Sequence, residues 1–265
     1  MSAVLSDAVA TLMRRVAETV VMPRFRNLDP DQVEEKAPGD LVTVADREAE
    51  AALAEGLLPL IPGSRVVGEE GVAADPSLLD GLESGTAWIV DPIDGTGNFA
   101  AGRSPFGLMV ALCDAGEVTA GWLLDPVTGR LCHARRGEGA WIDGERVSAR
   151  ESGAACPIAG LATSFLTADE CAQLEARAEG HVTLVPIPRC AAEQYPRLVL
   201  GHNDLSVFER TLPWDHAPGA LFLNEAGGRV ARRDGSAYQV WDGRRGLLGA
   251  SSPAMWDRGA EVLFG

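Results

Sequence analysis

Apolar residues recur every three to four positions at the start of the chain: Val4, Leu5, Ala8, Val9, Leu12, Val16 and Val20. This spacing predicts an amphipathic helix over residues 1–22 and is not the continuous apolar core of a signal peptide. The following RFRNLDPDQVEEKAPGD has no period and reads as an irregular polar connection. Leu53, Leu57, Leu58 and Ile61 then lead to a Pro-Gly stop, so a second helix is expected from Asp46 to Leu60. SRVVGEEG reads as a short strand ending in Glu69 and Glu70, and TAWIVD as a second, buried strand. From Phe106 the pattern changes. Segments Gly107–Cys113, Val118–Leu124 and Arg130–Ala134, punctuated by Asp, Gly and Pro, predict an antiparallel meander. Beyond Ser148, apolar runs (IAGLATS, HVTLVPI) alternate with helical patterns (ADECAQLEARAEG, AAEQYPRLVLG). DHAPGALFLNEAGG has a first-turn proline and a Gly-Gly terminator, and WDGRRGLLGAS resembles a final strand with its approach turn. The pattern predicts one α/β unit over residues 1–265, with lobes at about 1–147 and 148–265.

Composition narrows the chemistry. The chain has 265 residues, 46% of them hydrophobic, enough for a large core. Lys plus Arg number 23 against 38 Asp plus Glu, a net charge of −15. That balance disfavours nucleic acid and anionic membranes, and no basic run offsets it. An acidic protein that handles phosphate needs added positive charge, and divalent cations are the natural source. The five cysteines, Cys113, Cys132, Cys156, Cys171 and Cys190, show no metal-ligand spacing and read as reduced core thiols. No stretch is long enough to span a membrane, so a cytoplasmic location is the expectation. Lys36 is the single lysine, a compact charge in a chain that otherwise uses arginine.

The buried run Trp88–Val90 leads straight into Asp91 and Asp94, followed by Gly95, Thr96, Gly97 and Asn98. Acids beyond the carboxyl end of a strand occupy the usual site position of α/β proteins. Pro92 restricts its own φ and holds Asp91 extended, while Gly95 permits a sharp turn, so both carboxylates can face one centre. Like charges that close require cations, and oxygen ligands favour Mg²⁺, Mn²⁺ or Ca²⁺. Asp46, Glu69 and Asp215 stand at predicted element ends and can join them; Asp46 and Asp215 taken singly also suit helix N-caps. The glycine turn exposes successive amides able to grip an anion. Metal plus amide nest describes phosphate ester hydrolysis.

GEE at 68–70, WIVDPIDGTGNF at 88–99 and PWDHAPG at 213–219, with DLVTVAD at 40–46 and EAGG at 225–228, resemble the inositol monophosphatase family of Mg²⁺-dependent, lithium-sensitive phosphatases. The resemblance implies a layered αβαβα sandwich, often dimeric. It implies that Glu69, Asp91 and the Ile93 carbonyl hold one metal, and Asp91, Asp94 and Asp215 a second, with Glu69 serving a third in some members. Mn²⁺ would substitute; Ca²⁺ and Li⁺ would inhibit. Thr96 paired with Asp46 would orient the attacking water, and the Gly95 and Thr96 amides would bind phosphate.

Departures fall in the substrate segment. Arg189, Cys190, Ala191 and Ala192 stand where the family commonly has Gly-Thr/Ser-Ala-Ala. Phe208 takes the place of an acid that grips a ring hydroxyl in inositol-specific members, and a one-residue deletion would bring the neighbouring Glu209 into that role; Arg210 follows. Lys36 lies one residue nearer to DLVT than is typical. The expected substrate is a small phosphorylated metabolite, myo-inositol monophosphate first; the alternatives are 3′-phosphoadenosine 5′-phosphate, fructose 1,6-bisphosphate and histidinol phosphate. A different class of function, regulatory binding to RNA or transcription machinery, is the competing expectation. His216 is read as an exposed helix-start residue, His133, His181 and His202 as structural or surface residues, and Arg244 or Arg245 as candidates to steer anions.

Overall fold

A computed structural model describes residues 3–37 and 39–265. Helix α1 (Ala3–Val16) buries Val9, Leu12, Met13 and Val16, then changes pitch to a π turn (Ala17–Val21) and a 3-10 turn (Met22–Arg24). The uniform helix expected over 1–22 therefore ends early, and Met1 and Ser2 of that expectation lie outside the described residues. The stretch read as irregular contains a 3-10 turn (Pro30–Gln32) and a strand, β1 (Val33–Ala37), paired antiparallel with β2 (Asp40–Thr43). Its Glu34, Glu35 and Ala37 are exposed, which removed the apolar alternation that would have marked it. Helix α2 (Val44–Leu57), extended by a 3-10 turn through Leu60, starts two residues before the expected Asp46, because Thr43 is its N-cap.

Seven strands form the larger sheet, in the order β3 (Arg65–Gly68), β4 (Thr86–Asp94), β5 (Gly107–Asp114), β6 (Glu117–Leu124), β7 (Leu131–Arg135), β8 (Gly139–Ile142), β9 (Glu145–Val147). β3 and β4 are parallel and every later pair is antiparallel, so the predicted meander is present. Side chains alternate across this sheet as a period of two requires. Trp88, Val90, Leu108, Val110 and Trp122 pack with α1 and α2, while Ile89, Met109, Ala111 and Leu123 pack on the opposite face with helices α6 (Ala191–Val199) and α7 (Pro213–Glu225).

The second sheet has five strands in the order β11 (Thr183–Val185), β10 (Ile158–Leu161), β12 (Leu205–Phe208), β14 (Leu247–Ala250), β13 (Arg229–Arg232). Phe208, Val230 and Leu247 join the core beneath α6 and α7; Leu205, Val207, Leu248 and Ala250 pack with α5 (Ala168–Ala178) and α8 (Pro253–Phe264). The layers run α1/α2, seven-stranded sheet, α6/α7, five-stranded sheet, α5/α8. This is the αβαβα sandwich expected from the resemblance. Among the described residues no helix is long and apolar enough to cross a membrane.

Candidate active site

The carboxylates converge through a single irregularity. Asp91 pairs with Met109 and Asp94 with Gly107, so three steps along β4 match two along β5. In a regular strand, residues three apart point to opposite faces. The extra residue at this bulge, where Pro92 can donate no ladder hydrogen bond, lets both acids open into one cleft. They therefore lie within β4 and not beyond its end, a correction to the expected position. Gly95 follows at φ +85°; a Cβ there would meet Cys190 Cβ at 3.2 Å and the Arg189 and Pro105 carbonyls at 3.3 Å. Only glycine suits both the backbone and the space. Thr96 opens the short helix α4 (Thr96–Ala100); the Asn98 and Phe99 amides donate to the Gly95 carbonyl at 2.8 and 3.1 Å, which leaves those of Thr96 and Gly97 without a helical acceptor.

Helix α2 supplies Asp46 as the third helical residue of a capping box, not as the N-cap. Its Oδ2 accepts from Thr43 N at 2.8 Å and Thr43 Oγ1 at 2.6 Å, leaving Oδ1 3.0 Å from Thr96 Oγ1. Thr96 Oγ1 also lies 2.9 Å from the Ile93 carbonyl. Glu50, one turn beyond Asp46, accepts the amides of Glu70 at 2.8 Å and Gly71 at 2.7 Å. It thereby holds the start of helix α3 (Glu69–Ala74), so Glu69 opens a helix instead of ending a strand. Gly68 is needed for that approach, since a Cβ would fall 2.3 Å from Glu50 Cδ. Glu50 was missed in the sequence; its i+4 spacing from Asp46 was the available signal. Asp215 is likewise the third residue of α7, whose N-cap is Leu212 and whose first-turn proline is Pro213; Pro218 lies inside the helix.

Glu69, Asp91 and Asp215 each present an oxygen within 4.8 Å of the other two. Asp46 and Asp91 are 1% exposed, and Asp94 is buried. Asp94 stands outside that trio: its Oδ2 accepts the Ala192 amide at 2.6 Å, at the start of α6. Burial raises the pKa of Asp91 well above the carboxylate range, with Glu69, Asp94 and Asp215 adding repulsion. Burial pushes Asp215 to about 8 against the opposing charge of Arg210, and Asp46 to about 7 despite its bonds from Thr43. Glu69 is raised too, although Lys36 opposes this with Nζ–Oε1 at 2.7 Å; the same ammonium reaches Glu70 at 2.9 Å. Lys36 thus stands at the cluster.

An all-oxygen set of crowded carboxylates fits a hard divalent cation and no soft one. These residues make a divalent-metal site of the Mg²⁺ type, opening into a cleft of about 530 Å³. Lining it are Cys190, Ala191 and Glu209 among the expected substrate residues, with Phe208, Arg103, Arg189 and Arg210. Ala192 serves as the Asp94 partner. Glu209 is 6% exposed and is engaged by Arg233 and, at 3.4 Å, by Arg245. Arg244 pairs with Asp234, so neither candidate for anion steering is free. His216, expected exposed, is 3% exposed. Its Nδ1 lies 2.9 Å from Tyr195 Oη and its Nε2 2.9 Å from the Arg210 carbonyl, and burial pushes it down to about 4. Three of the five thiols are buried; Cys156 and Cys171 are half-buried, against the expectation of five core thiols.

Comparison with known proteins agrees with this geometry. The fructose-1,6-bisphosphatase/inositol-1-monophosphatase of Thermotoga maritima is 32% identical over 84% of this chain and 83% of its own length. The Nus factor SuhB of Vibrio cholerae is 28% identical over 97% of this chain and 93% of its own. The crystal structure of the extragenic suppressor protein suhB from Bartonella henselae superposes with a TM-score of 0.82 at 26% identity, covering 99% of both chains. The inositol monophosphatase family profile matches residues 4–261, and the chain belongs to that family.

Proposed function

We propose that the protein hydrolyses a small phosphate monoester with a water activated at the acidic cluster, and that myo-inositol monophosphate is its reference substrate. The observation that carries this reading is the convergence of Glu69, Asp91 and Asp215 beside the Thr96–Asp46 hydrogen bond. Glu69, Asp91, the Ile93 carbonyl, Asp94 and Asp215 would hold Mg²⁺. The bound cation would lower the pKa of a water and offset ester charge. Thr96 Oγ1 accepts a proton from the attacking water and passes its own to Asp46 Oδ1, whose burial raises its affinity for a proton. The Gly95 and Thr96 amides would cradle the phosphate oxygens. Lys36 holds Glu69 in place and limits repulsion within the cluster.

The choice of polyol is supported by similarity to relatives such as the inositol-1-monophosphatase of Bacillus subtilis, 29% identical over 81% of both chains. Of the expected substrate residues, Cys190, Ala191 and Glu209 line the cleft and would face the alcohol, whereas Ala192 is buried and acts through its amide on Asp94. The test is phosphate release with Mg²⁺ from inositol 1-phosphate, 3′-phosphoadenosine 5′-phosphate, fructose 1,6-bisphosphate and histidinol phosphate. Turnover lost on chelation and in Asp94→Asn supports the reading; no release from any ester sinks it and favours a regulatory binding role.

A further inference from the structure

Two arginines on the rim of the cleft have no use in the hydrolysis just described. Arg189 holds φ at +54°, a left-handed conformation that glycine adopts freely and a branched or long side chain does not. It directly precedes Cys190 and α6, and its carbonyl packs against the Gly95 position. Arg103 lies on the opposite side of that contact, two residues before Pro105, whose carbonyl packs against the same position. Asn98 joins the two loops: its Nδ2 donates to the Pro105 carbonyl at 2.8 Å and to the Pro188 carbonyl at 2.9 Å. Arg103 and Arg189 are therefore presented by one brace, beside the turn that would cradle the phosphate.

Both side chains are exposed and both residues line the cleft. Among the described residues neither guanidinium has a hydrogen-bond or ion-pair partner. Other arginines nearby are engaged: Arg210 lies 3.3 Å from Asp40 and 3.9 Å from Asp215, and Arg245 and Arg233 hold Glu209. In a chain with 38 acidic residues against 23 basic ones, two unpaired cations at the mouth of an acidic cleft are an asymmetry that calls for an anion. The scissile phosphate has the acidic cluster's cation and the glycine turn for its own charge. We propose that Arg103 and Arg189 form a second anion subsite, which takes a phosphate or carboxylate borne by the alcohol portion of the substrate. This assignment rests on the phosphatase reading and adds to it a preference for esters whose alcohol carries a second anion. Guanidinium groups suit the task because their planar donor forks match the oxygen pairs of either anion.

Matched substrates separate a second-anion role from general attraction of phosphate. The pairs are fructose 1,6-bisphosphate against fructose 1-phosphate, and 3-phosphoglycerate against glycerol 3-phosphate, each assayed for kcat/KM with Mg²⁺. The enzymes are the wild type, Arg189→Gly, Arg103→Ala and, as a control for net charge, Arg258→Ala on the exposed face of α8. The wild type should prefer the doubly anionic member of at least one pair by roughly tenfold. Arg189→Gly and Arg103→Ala should each lower that ratio by about fivefold or more, and Arg258→Ala should leave it unchanged. A fall confined to the fructose pair identifies a phosphate, and one confined to the glycerate pair a carboxylate. Equal losses on both members of a pair, or a wild-type ratio near one, would overturn the subsite while leaving the phosphatase intact. No turnover of the four esters by a wild type that hydrolyses inositol 1-phosphate would overturn the subsite alone; no turnover of inositol 1-phosphate or of any other ester would remove the phosphatase reading with it.

Discussion

Replacing Asp91 by Asn should make the metal-free protein more stable while removing its response to Mg²⁺. Asp91 is 1% exposed, and one of its oxygens lies within 4.8 Å of oxygens on both Glu69 and Asp215. At an effective dielectric constant of about 20, two unit charges at that separation repel by about 3.5 kcal/mol per pair. Proton uptake by the crowded carboxyls relieves part of this, which leaves about 2 kcal/mol to be gained when the central charge is removed. Asparagine is isosteric and keeps the acceptor that takes the Ile93 amide at 3.0 Å, so no cavity or orphaned donor is created. In EDTA at pH 8, the melting temperature of Asp91→Asn should exceed that of the wild type by about 4–8 °C. Mg²⁺ at a hundred times its dissociation constant should then stabilise the wild type by about 2.7 kcal/mol and the variant by far less. Scanning calorimetry with and without metal measures both. A metal-free variant less stable than the wild type, or an equal Mg²⁺ response in the two proteins, would refute the idea that cation binding relieves a strained cluster of charge.

Three further outcomes are expected. Thr96→Ala should lower kcat for phosphate release by about 10²–10⁴-fold, with Mg²⁺ affinity by titration calorimetry changed far less, because the hydroxyl meets Asp46 and, among the proposed ligands, only the backbone carbonyl of Ile93, never the acidic trio. Gly219→Ala should cost about 3 kcal/mol in urea unfolding. The added Cβ would fall 2.0 Å from the Tyr195 ring, which stacks on Phe208 at 5.1 Å between centroids and cannot retreat. Alkylation of the native protein at pH 8 should label Cys156 and Cys171 only; burial pushes the Cys113 thiol to about 11 and Cys132 to about 12 and raises Cys190 well above the ordinary thiol range, so little thiolate forms at these three. Mass mapping of more than two labelled sites in folded protein would count against that packing.

Much of the site was legible because its residues are contiguous. Asp91 to Thr96 occupies one strand end and one turn, and a proline and a glycine there have few structural meanings. The meander was equally open to reading, since each strand is bounded by Asp, Gly or Pro. Strand β1 was hidden because its exposed glutamates carry no alternation, although it bears Lys36. Asp46 and Asp215 were placed near helix starts but two or three residues from their true positions, because the caps belong to Thr43 and Leu212. His216 was misjudged: the rings that bury it, Tyr195, Phe208 and Tyr238, come from three distant segments. Helix ends are local events, whereas enclosure is a property of the assembled layers.

The bulge in β4 sets how this stretch can change. Because Asp91 and Asp94 share a direction only by virtue of one supernumerary residue, a ladder that ran unbroken through the segment at its present length would turn one of the two acids away from the cleft. Sequence drift between them is therefore free only so far as it keeps the irregularity, and Pro92, which cannot donate to the ladder, is the residue that favours it. A descendant of this chain in which the pairing became regular at this spacing should lose the cation, even where both acids survive.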